Sequence, residues 1–303
     1  MLKFIFSETF LAASISFALP IIFAALAALI SNKAGTININ IEGSMSLAAL
    51  AGALTSHFTK SWQLGILAAI LVGVVMSLVM GLSSLRLKTD GILSGIALNT
   101  MATGLAVVVL YEVLGVQGDT SLAPSTMIPS LDIPFLASIP VIGKVLFSQN
   151  LMFYILLVSV TLLWLLLEKT SIGAHIKAVG YNPQAAQAAG IAINKVKLQA
   201  LILCGALAGL GGAYLSMVYL SYYSVGMVAG RGFIGIAAEA IGAGNPLATA
   251  LFAWLFGAVD YFAVGAQSVL NVPYELLNTL PNLMTVLALI FYGLKKRKNE
   301  IAS

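Results

Sequence analysis

The sequence predicts an all-α, polytopic membrane helix bundle, and three observations lead to this expectation. Of the 303 residues, 60% are hydrophobic and only 9% are charged, whereas a soluble domain carries about 25% charged residues. The mean hydropathy is +1.00. The charges are also clustered, which leaves uncharged runs close to the length of a membrane span at 9–32, 61–85, 91–111, 145–167, 198–230, 240–259 and 276–294. We therefore expect one transmembrane domain over residues 1–303, with about eight to ten hydrophobic segments that include broken or half-spanning helices.

Helices are the expected form of these runs because backbone groups in lipid must be satisfied within the segment. The runs do not alternate between apolar and polar residues, as the strands of a membrane barrel would. The apolar stretch after Lys3 is too long for a secretory signal, so 9–32 is expected to be a retained first span. Cys204 is the single cysteine and is expected to be a small packed side chain within a helix.

The distribution of basic residues predicts which loops are cytoplasmic. The segment 169–197 contains Lys169, Lys177, Lys195 and Lys197 and no acidic residue, and the link at 86–90 is also basic overall. The tail 295–303 is basic as well. Lysine and arginine mark the cytoplasmic side of a membrane protein, so we expect these three segments, including the C-terminus, to be cytoplasmic. The tail is expected to be a membrane anchor and not a nucleic-acid site.

The segment 112–150 is the expected extracytoplasmic loop. It carries Glu112, Asp119 and Asp132 against Lys144, which makes it acidic. Its four prolines, with apolar residues between them, are typical of an ordered cap and not of a disordered linker.

The cytoplasmic loop 169–197 contains the signals of a very short helix. Asn182 is a good N-cap, Pro183 suits the first helical position, and Gly190 is a natural terminator. A helix of about two turns over 184–189 is too short to be stable alone. Its surface of alanine and glutamine would suit a groove on a partner protein, although an ordinary loop between helices remains the alternative.

Two further segments combine glycine with a charge ahead of a short alanine-rich run. In 37–45, Glu42 would lie at a helix start, where it could be an N-terminal cap or line the translocation path. In 230–247, the apolar stretch after Arg231 is broken by Gly244 and Pro246, which predicts a half-helix. Interrupted segments in corresponding positions of two halves indicate a transporter's binding region, so we also expect an internal repeat.

Several polar residues lie in otherwise apolar runs, where they are costly. Arg231 and Glu239 are about 12 Å apart along a helix, so each must find another partner or a water-filled path. Asp260 and Asn99 are expected to form polar side-chain contacts between packed helices. The glycines at positions 205, 209, 211 and 212 form a stripe that predicts close helix packing.

These motifs resemble the permeases of ABC importers of the branched-chain amino acid, ribose and nucleoside superfamily. The string Gly173-x-x-x-Lys177-Ala178-x-Gly180-x-Asn182-Pro183-x-Ala185-Ala186, ending in Gly190-Ile191, is similar to their cytoplasmic coupling segment, with Lys177 where arginine is commoner. The resemblance implies that the ATPase-coupling residues are Gly173, Lys177, Ala178, Gly180, Asn182, Pro183, Ala185, Ala186 and Gly190. Candidates for the substrate pathway are Asn38, Glu42, Asn99, Arg231, Phe233 and Glu239.

Within this superfamily the chain is most similar to the shorter permease of nucleoside or simple-sugar importers. The resemblance implies three protein partners: an ABC ATPase, a second and distinct permease, and an extracytoplasmic substrate-binding lipoprotein. It implies transport by alternating access across the cytoplasmic membrane. This chain would bind no cofactor, whereas the partner ATPase would use ATP and magnesium.

The sequence lacks the motifs of several other protein classes. It has no P-loop motif G-x-x-x-x-G-K-[ST], no G-x-S-x-G and no H-E-x-x-H, and His57 and His175 are its only histidines. A secondary transporter that uses Glu42 or Glu239 as an ion site remains an alternative, as does a membrane-embedded enzyme or a structural scaffold. The alternative of a secondary transporter does not account for the coupling segment.

Overall fold

The computed structural model describes residues 8–132 and 148–267, together with the single positions 283, 286 and 290. The described helices are α1 (Glu8–Lys33), α2 (Ile41–Thr59), α3 (Trp62–Leu85), α4 (Gly91–Leu114), α5 (Leu151–Lys169), α6 (Ser171–Tyr181), α7 (Pro183–Ala188), α8 (Ile193–Tyr214), α9 (Arg231–Gly242) and α10 (Pro246–Gln267). A π-helical turn, Leu215–Tyr219, extends α8. One short hairpin pairs β1 (Ser130–Asp132) with β2 (Ser148–Asn150), with Leu131 opposite Gln149. The predicted helical membrane bundle is confirmed.

Six of the described helices are long and apolar enough to cross a membrane: α1, α3, α4, α5, α8 with its π-helical turn, and α10. The run 276–294, the tail 295–303 and the loop residues 133–147 lie outside the described residues. Of the six helices, α1 and α8 are the most enclosed by other helices, whereas α4 and α10 expose most of their surface. The centre of the bundle is therefore built around α1 and α8.

Close approach of α8 to its neighbours depends on the predicted glycine stripe. Gly205 and Gly209 lie against the backbone of α3 at Gly73 and Ala69, where a Cβ atom would not fit. Gly212 lies equally close to the backbone of α2 at Met45. Small residues let helix backbones come together without side chains between them. The predicted packing role of the stripe is confirmed.

The loops that the charges assign to opposite sides of the membrane lie at opposite ends of the bundle. At one end, Lys197 Nζ donates to the carbonyl of Gly35 at 3.3 Å, and Gly35 packs on Gly180. At the other end, Thr126 Oγ1 donates to the Ser56 carbonyl at 2.8 Å, and Tyr223 N donates to Thr120 Oγ1 at 2.9 Å. We refer to these as the cytoplasmic end and the outer end, following the charge distribution.

The outer end is tied together by short polar contacts. An isolated bridge joins Asp119 to Ser224, and His57 Nδ1 lies 2.9 Å from the Pro124 carbonyl oxygen. The hydroxyl and backbone amide of Ser121 both hydrogen-bond to Asp119 and lower the pKa of its carboxyl. The described part of the loop 112–150 is therefore ordered against the ends of α2 and α8.

Two helices that are not among the six spans, α2 and α9, begin after non-helical stretches of chain. Residues 34–40, between α1 and α2, are not helical. The second non-helical stretch precedes α9, which begins after Gly230 at φ +81° and has only 12 residues. Ala243 and Gly244, at φ 50° and 73°, end α9 before Pro246 starts α10. The predicted half-helix is confirmed, whereas the internal repeat stays a prediction.

Candidate functional site

The two interrupted segments meet at a junction formed by Glu42, Gly230 and Gly232. Glu42 lies in the first turn of α2, but its carboxylate caps the N-terminus of α9. Its Oε1 accepts a hydrogen bond from Gly230 N at 2.8 Å, and its Oε2 accepts one from Gly232 N at 2.8 Å. Free amide groups at a helix N-terminus favour a negative charge. Glu42 therefore caps a helix that starts about 190 residues away, and not the start of its own helix α2 as one of the two sequence interpretations expected.

Gly232 is required by this geometry. A Cβ atom at position 232 would lie 2.8 Å from both Cα and N of Glu42, and these are backbone atoms that cannot rotate away. The start of α9 thus rests directly on the main chain of α2. A side chain at position 232 would push the two segments apart.

Two asparagines hold the non-helical stretch that leads into α2. Asn99 of α4 accepts from Gly43 N at 2.8 Å and donates to the Ile39 carbonyl at 3.1 Å. Asn38 donates to Ser77 Oγ and to Cys204 Sγ, both at 3.3 Å, and accepts from Asn40 N at 3.0 Å. In a membrane interior, backbone groups outside a helix need such partners. Both candidates therefore satisfy the broken backbone near the junction.

Arg231 follows the junction and makes a buried ion pair. Its Nη2 lies 3.3 Å from Asp260 Oδ2, and the two side chains are only 11% and 15% exposed. Arg231 Nη1 also donates to the Met227 carbonyl at 3.2 Å, and the guanidinium lies 5.4 Å from the centre of the Tyr219 ring. The expectation that Arg231 pairs with a residue other than Glu239 is confirmed.

Glu239 and Phe233 are on the same helix but lie away from the junction. Glu239 Oε2 accepts from Asn32 Nδ2 at 2.6 Å, close to the cytoplasmic end of α1. Phe233 is 46% exposed on the surface of the chain. Of the six pathway candidates, the structure thus brings Asn38, Glu42, Asn99 and Arg231 together around the junction. Sequence reasoning missed Asn32, whose only signal was its place at the end of an uncharged run.

The short helix α7 has the geometry that the sequence predicted. Asn182 Oδ1 accepts from Ala185 N at 3.0 Å, and Pro183 occupies the first helical position. The helix ends after Ala188, and Gly190 at φ +81° reverses the chain, so that Ile191 N donates to the Ala186 carbonyl at 3.0 Å. Helix α7 is six residues long, so its shape depends on these caps and on its packing.

The coupling candidates divide into an inward-facing and an outward-facing set. Gly173 packs on the backbone of Leu166 and Leu167, Gly180 packs on the carbonyl of Lys33, and Ala186 is buried. Lys177 forms an exposed ion pair with Glu168 at 3.2 Å. The remaining candidates lie on or near the surface: Ala178, Asn182, Pro183, Ala185 and Gly190.

Tyr181 is the surface residue that sequence reasoning missed. It ends α6 immediately before the Asn182 cap, and 94% of its surface is exposed. An exposed aromatic ring beside a rigid, capped helix is typical of an anchor for a partner protein. The sequence signal was a tyrosine inside a segment that was expected to dock.

The described residues contain no group of three or more histidine, cysteine, aspartate or glutamate side chains that could hold a metal ion. The polar groups of the junction are instead arranged for hydrogen bonding between helices.

Comparison with known proteins identifies the family of the chain. Residues 10–292 match the family described as branched-chain amino acid transport system / permease component. The chain is 33% identical to a nucleoside ABC transporter permease of Lactococcus lactis subsp. cremoris, covering 90% of this chain and 88% of that protein. It is 30% identical to a guanosine ABC transporter permease of Bacillus subtilis, covering 91% and 89%. A second nucleoside ABC transporter permease of the same Lactococcus lactis strain is 25% identical, covering 81% and 70%.

A solved structure shares the fold. It is an inward-facing conformation of a transporter described as a metal-chelate type ABC transporter, with a TM-score of 0.50, 17% identity, and coverage of 92% of this chain and 85% of that chain. The resemblance that the sequence motifs carried is confirmed by the family match over residues 10–292. The chain therefore belongs to the branched-chain amino acid transport system permease family and is a multi-pass membrane permease of an ABC transporter.

Proposed function

We propose that this permease works in an importer that moves a nucleoside across the cytoplasmic membrane by alternating access. A simple sugar is the second candidate solute. The observation that carries the choice of solute is similarity over about nine-tenths of the chain to nucleoside and guanosine permeases. The energy would come from ATP and magnesium bound by a separate ATPase subunit. The cytoplasmic position of the C-terminus and of the tail 295–303 follows from the basic residues there.

The ATPase is proposed to dock on the segment 169–197, through α7 and Tyr181. Helix α7 is rigidly capped, and its alanine-rich outer surface permits close contact with a groove. Tyr181 supplies a large, exposed aromatic surface at its start. Tyrosine is enriched among the residues that contribute most of the binding energy near the centres of protein interfaces.

The remaining partners are proposed from the family and from charge. A second, distinct permease is expected because Lactococcus lactis contains two nucleoside permeases that match this chain to different degrees. A substrate-binding lipoprotein is expected to dock on the loop 112–150 at the outer end. Selectivity for the solute would then depend partly on that protein.

Within the permease, the junction residues are proposed to shape the solute path by fixing the start of α2 against the start of α9. Both carboxylate oxygens of Glu42 accept hydrogen bonds from within the chain. The side-chain oxygen and nitrogen of Asn99 are likewise both used in hydrogen bonds within the chain. Phe233 is the only aromatic residue among the pathway candidates and is 46% exposed, and an aromatic face suits a nucleobase or the apolar face of a sugar. We therefore propose Phe233 for solute contact, with Asn38, Arg231 and Glu239 as structural supports of the path.

The docking proposal can be tested by copurification from mild detergent. Gly180 and Ala186 are poor probes because both face their own chain. The exposed changes Tyr181→Ala and Ala185→Trp are better probes, with Tyr111→Ala, an exposed tyrosine at the end of α4, as the matched control. We expect the ATPase to copurify with the unaltered chain and the control, and the docking variants to lose about tenfold or more in affinity.

The same preparation separates the importer from the secondary transporter. If reconstituted permease alone accumulated solute without an ATPase, the ATP-driven function would be wrong. Competition of labelled guanosine uptake by unlabelled nucleosides and sugars would then identify the solute class. Inhibition by glucose or ribose, but not by nucleosides, would replace the nucleoside proposal with the sugar.

A further inference from the structure

Lys33, the last residue of α1, lies where three functional elements meet at the cytoplasmic end. Its carbonyl group contacts Gly180 near the end of α6, and its side chain contacts Gly244 directly after α9. A single residue thus touches the docking segment with its backbone and the end of α9 with its side chain.

The contact with the docking segment is made by backbone atoms only. A Cβ atom at position 180 would collide with the Lys33 carbonyl and would lie 3.1 Å from Gly35 N. The three atoms nearest to that position are all backbone atoms, of Lys33 and Gly35, and they cannot rotate away as a side chain could. Because packed interiors transmit displacement over such contacts, movement of α6 would move the backbone at Lys33.

The contact with the end of α9 is made by the side chain. Gly244 has φ +73°, and the end of the Lys33 side chain fills the space that a Cβ atom would occupy there. The preceding residue of α1, Asn32, donates to Glu239 at 2.6 Å. The C-terminal end of a helix also favours a nearby cation. The end of α1 therefore holds the cytoplasmic end of α9 by the Asn32–Glu239 hydrogen bond, by the steric contact of Lys33 with Gly244, and by the attraction between the Lys33 ammonium group and the helix C-terminus.

We propose that Lys33 is a positioning residue that transmits movement of the docking segment to α9, whose other end is held by Glu42. The inference rests on the docking role proposed above for the segment 169–197. Helix α9 is 12 residues long, so a shift at Glu239 would reach the junction through one rigid element. Removal of the Lys33 charge would therefore uncouple ATP hydrolysis from transport while leaving both subunits assembled.

The test is the ratio of solute transported to ATP hydrolysed by the complete transporter in proteoliposomes. Lys33→Met keeps the aliphatic stem over Gly244 but removes the charge, and Lys88→Met, at an exposed position of the link between α3 and α4, is the matched control. We expect Lys33→Met to lower the ratio about tenfold, within the usual range of coupling between sites. Lys33→Arg should restore most of the ratio, and Lys88→Met should leave it unchanged.

A purely structural role for Lys33 would give a different result. Hydrolysis and transport would fall together, or neither would change, and either outcome would overturn the proposal. If Lys33→Met failed to assemble, Lys33→Gln would decide, because it removes the charge but keeps a polar side chain and leaves the Asn32–Glu239 hydrogen bond in place. A lowered ratio in the assembled Lys33→Gln complex supports the proposal, and a normal ratio contradicts it.

Failure of the docking proposal would be visible separately. In that case Tyr181→Ala and Ala185→Trp would retain the ATPase, or the unaltered permease would not assemble with an ATPase at all. If the unaltered complex couples hydrolysis to transport and the Lys33→Met complex has the same ratio, only the role of Lys33 is contradicted.

Discussion

The short helices α7 and α9 are both capped by a polar side chain, but the caps come from different places in the chain. Helix α7 is capped by Asn182, the residue directly before it. Helix α9 is capped by Glu42, from another helix at the opposite end of the sequence. The local cap shapes a surface that is free to meet a partner, whereas the distant cap fixes α2 and α9 to each other. Loss of the first cap should therefore affect assembly, and loss of the second should affect folding.

The largest effect is expected at the ion pair that follows the distant cap. Asp260→Ala would leave the Arg231 guanidinium buried without its carboxylate and should cost about 3–5 kcal/mol of stability. The thermal unfolding of the permease in detergent measures the change. The control is Glu168→Ala, because the Lys177–Glu168 pair is 39% and 49% exposed and should contribute less than about 1 kcal/mol. Equal effects of the two changes would contradict the buried role of Asp260.

The second prediction concerns the distant cap itself. Glu42→Gln keeps the size of the side chain but removes one of the two acceptor oxygens, which leaves a backbone N–H at Gly230 or Gly232 unpaired. The expected cost is about 2 kcal/mol in the same unfolding measurement. A variant with unchanged stability but no transport would show instead that the carboxylate acts directly on solute or ions.

The third prediction concerns the close contact between α2 and α9. Gly232→Ala would place a Cβ atom 2.8 Å from backbone atoms of Glu42, and the strain should cost about 1–2 kcal/mol. Gly104→Ala is the matched control, because a Cβ atom at that helical position would have no atom beyond its own stretch of helix backbone within 4 Å. The control should be neutral or slightly stabilising. If both variants melted at the same temperature, the two segments would not be in direct backbone contact.

The smallest effect on folding is expected at the local cap. Asn182→Ala removes the hydrogen bond to Ala185 N and should weaken α7 by about 1 kcal/mol. Because α7 lies on the surface, the unfolding temperature of the whole permease should remain the same. Copurification of the ATPase should nevertheless decrease. A lower unfolding temperature with normal copurification would reverse the distinction between the two caps.

Much of the fold could be predicted because its signals are local. Composition and the length of uncharged runs predicted a membrane helix bundle, and Gly244 and Pro246 predicted the end of the half-helix. Asn182, Pro183 and Gly190 predicted α7, because each acts within one turn of its own position. The separation of Arg231 and Glu239 along one helix was enough to show that each needs another partner.

The partners themselves could not be predicted from the sequence. Asn32 and Glu239 are separated by 207 positions, and Glu42 and Gly232 by 190. Likewise, Gly180 and Ala186 belong to the same motif as Asn182, yet only packing decided that they face inward. The sequence by itself determined which residues are costly in a membrane and where helices start and stop. The tertiary structure decided which of these residues stabilise the chain internally and which remain exposed, because burial and partner choice depend on contacts between segments far apart in the sequence.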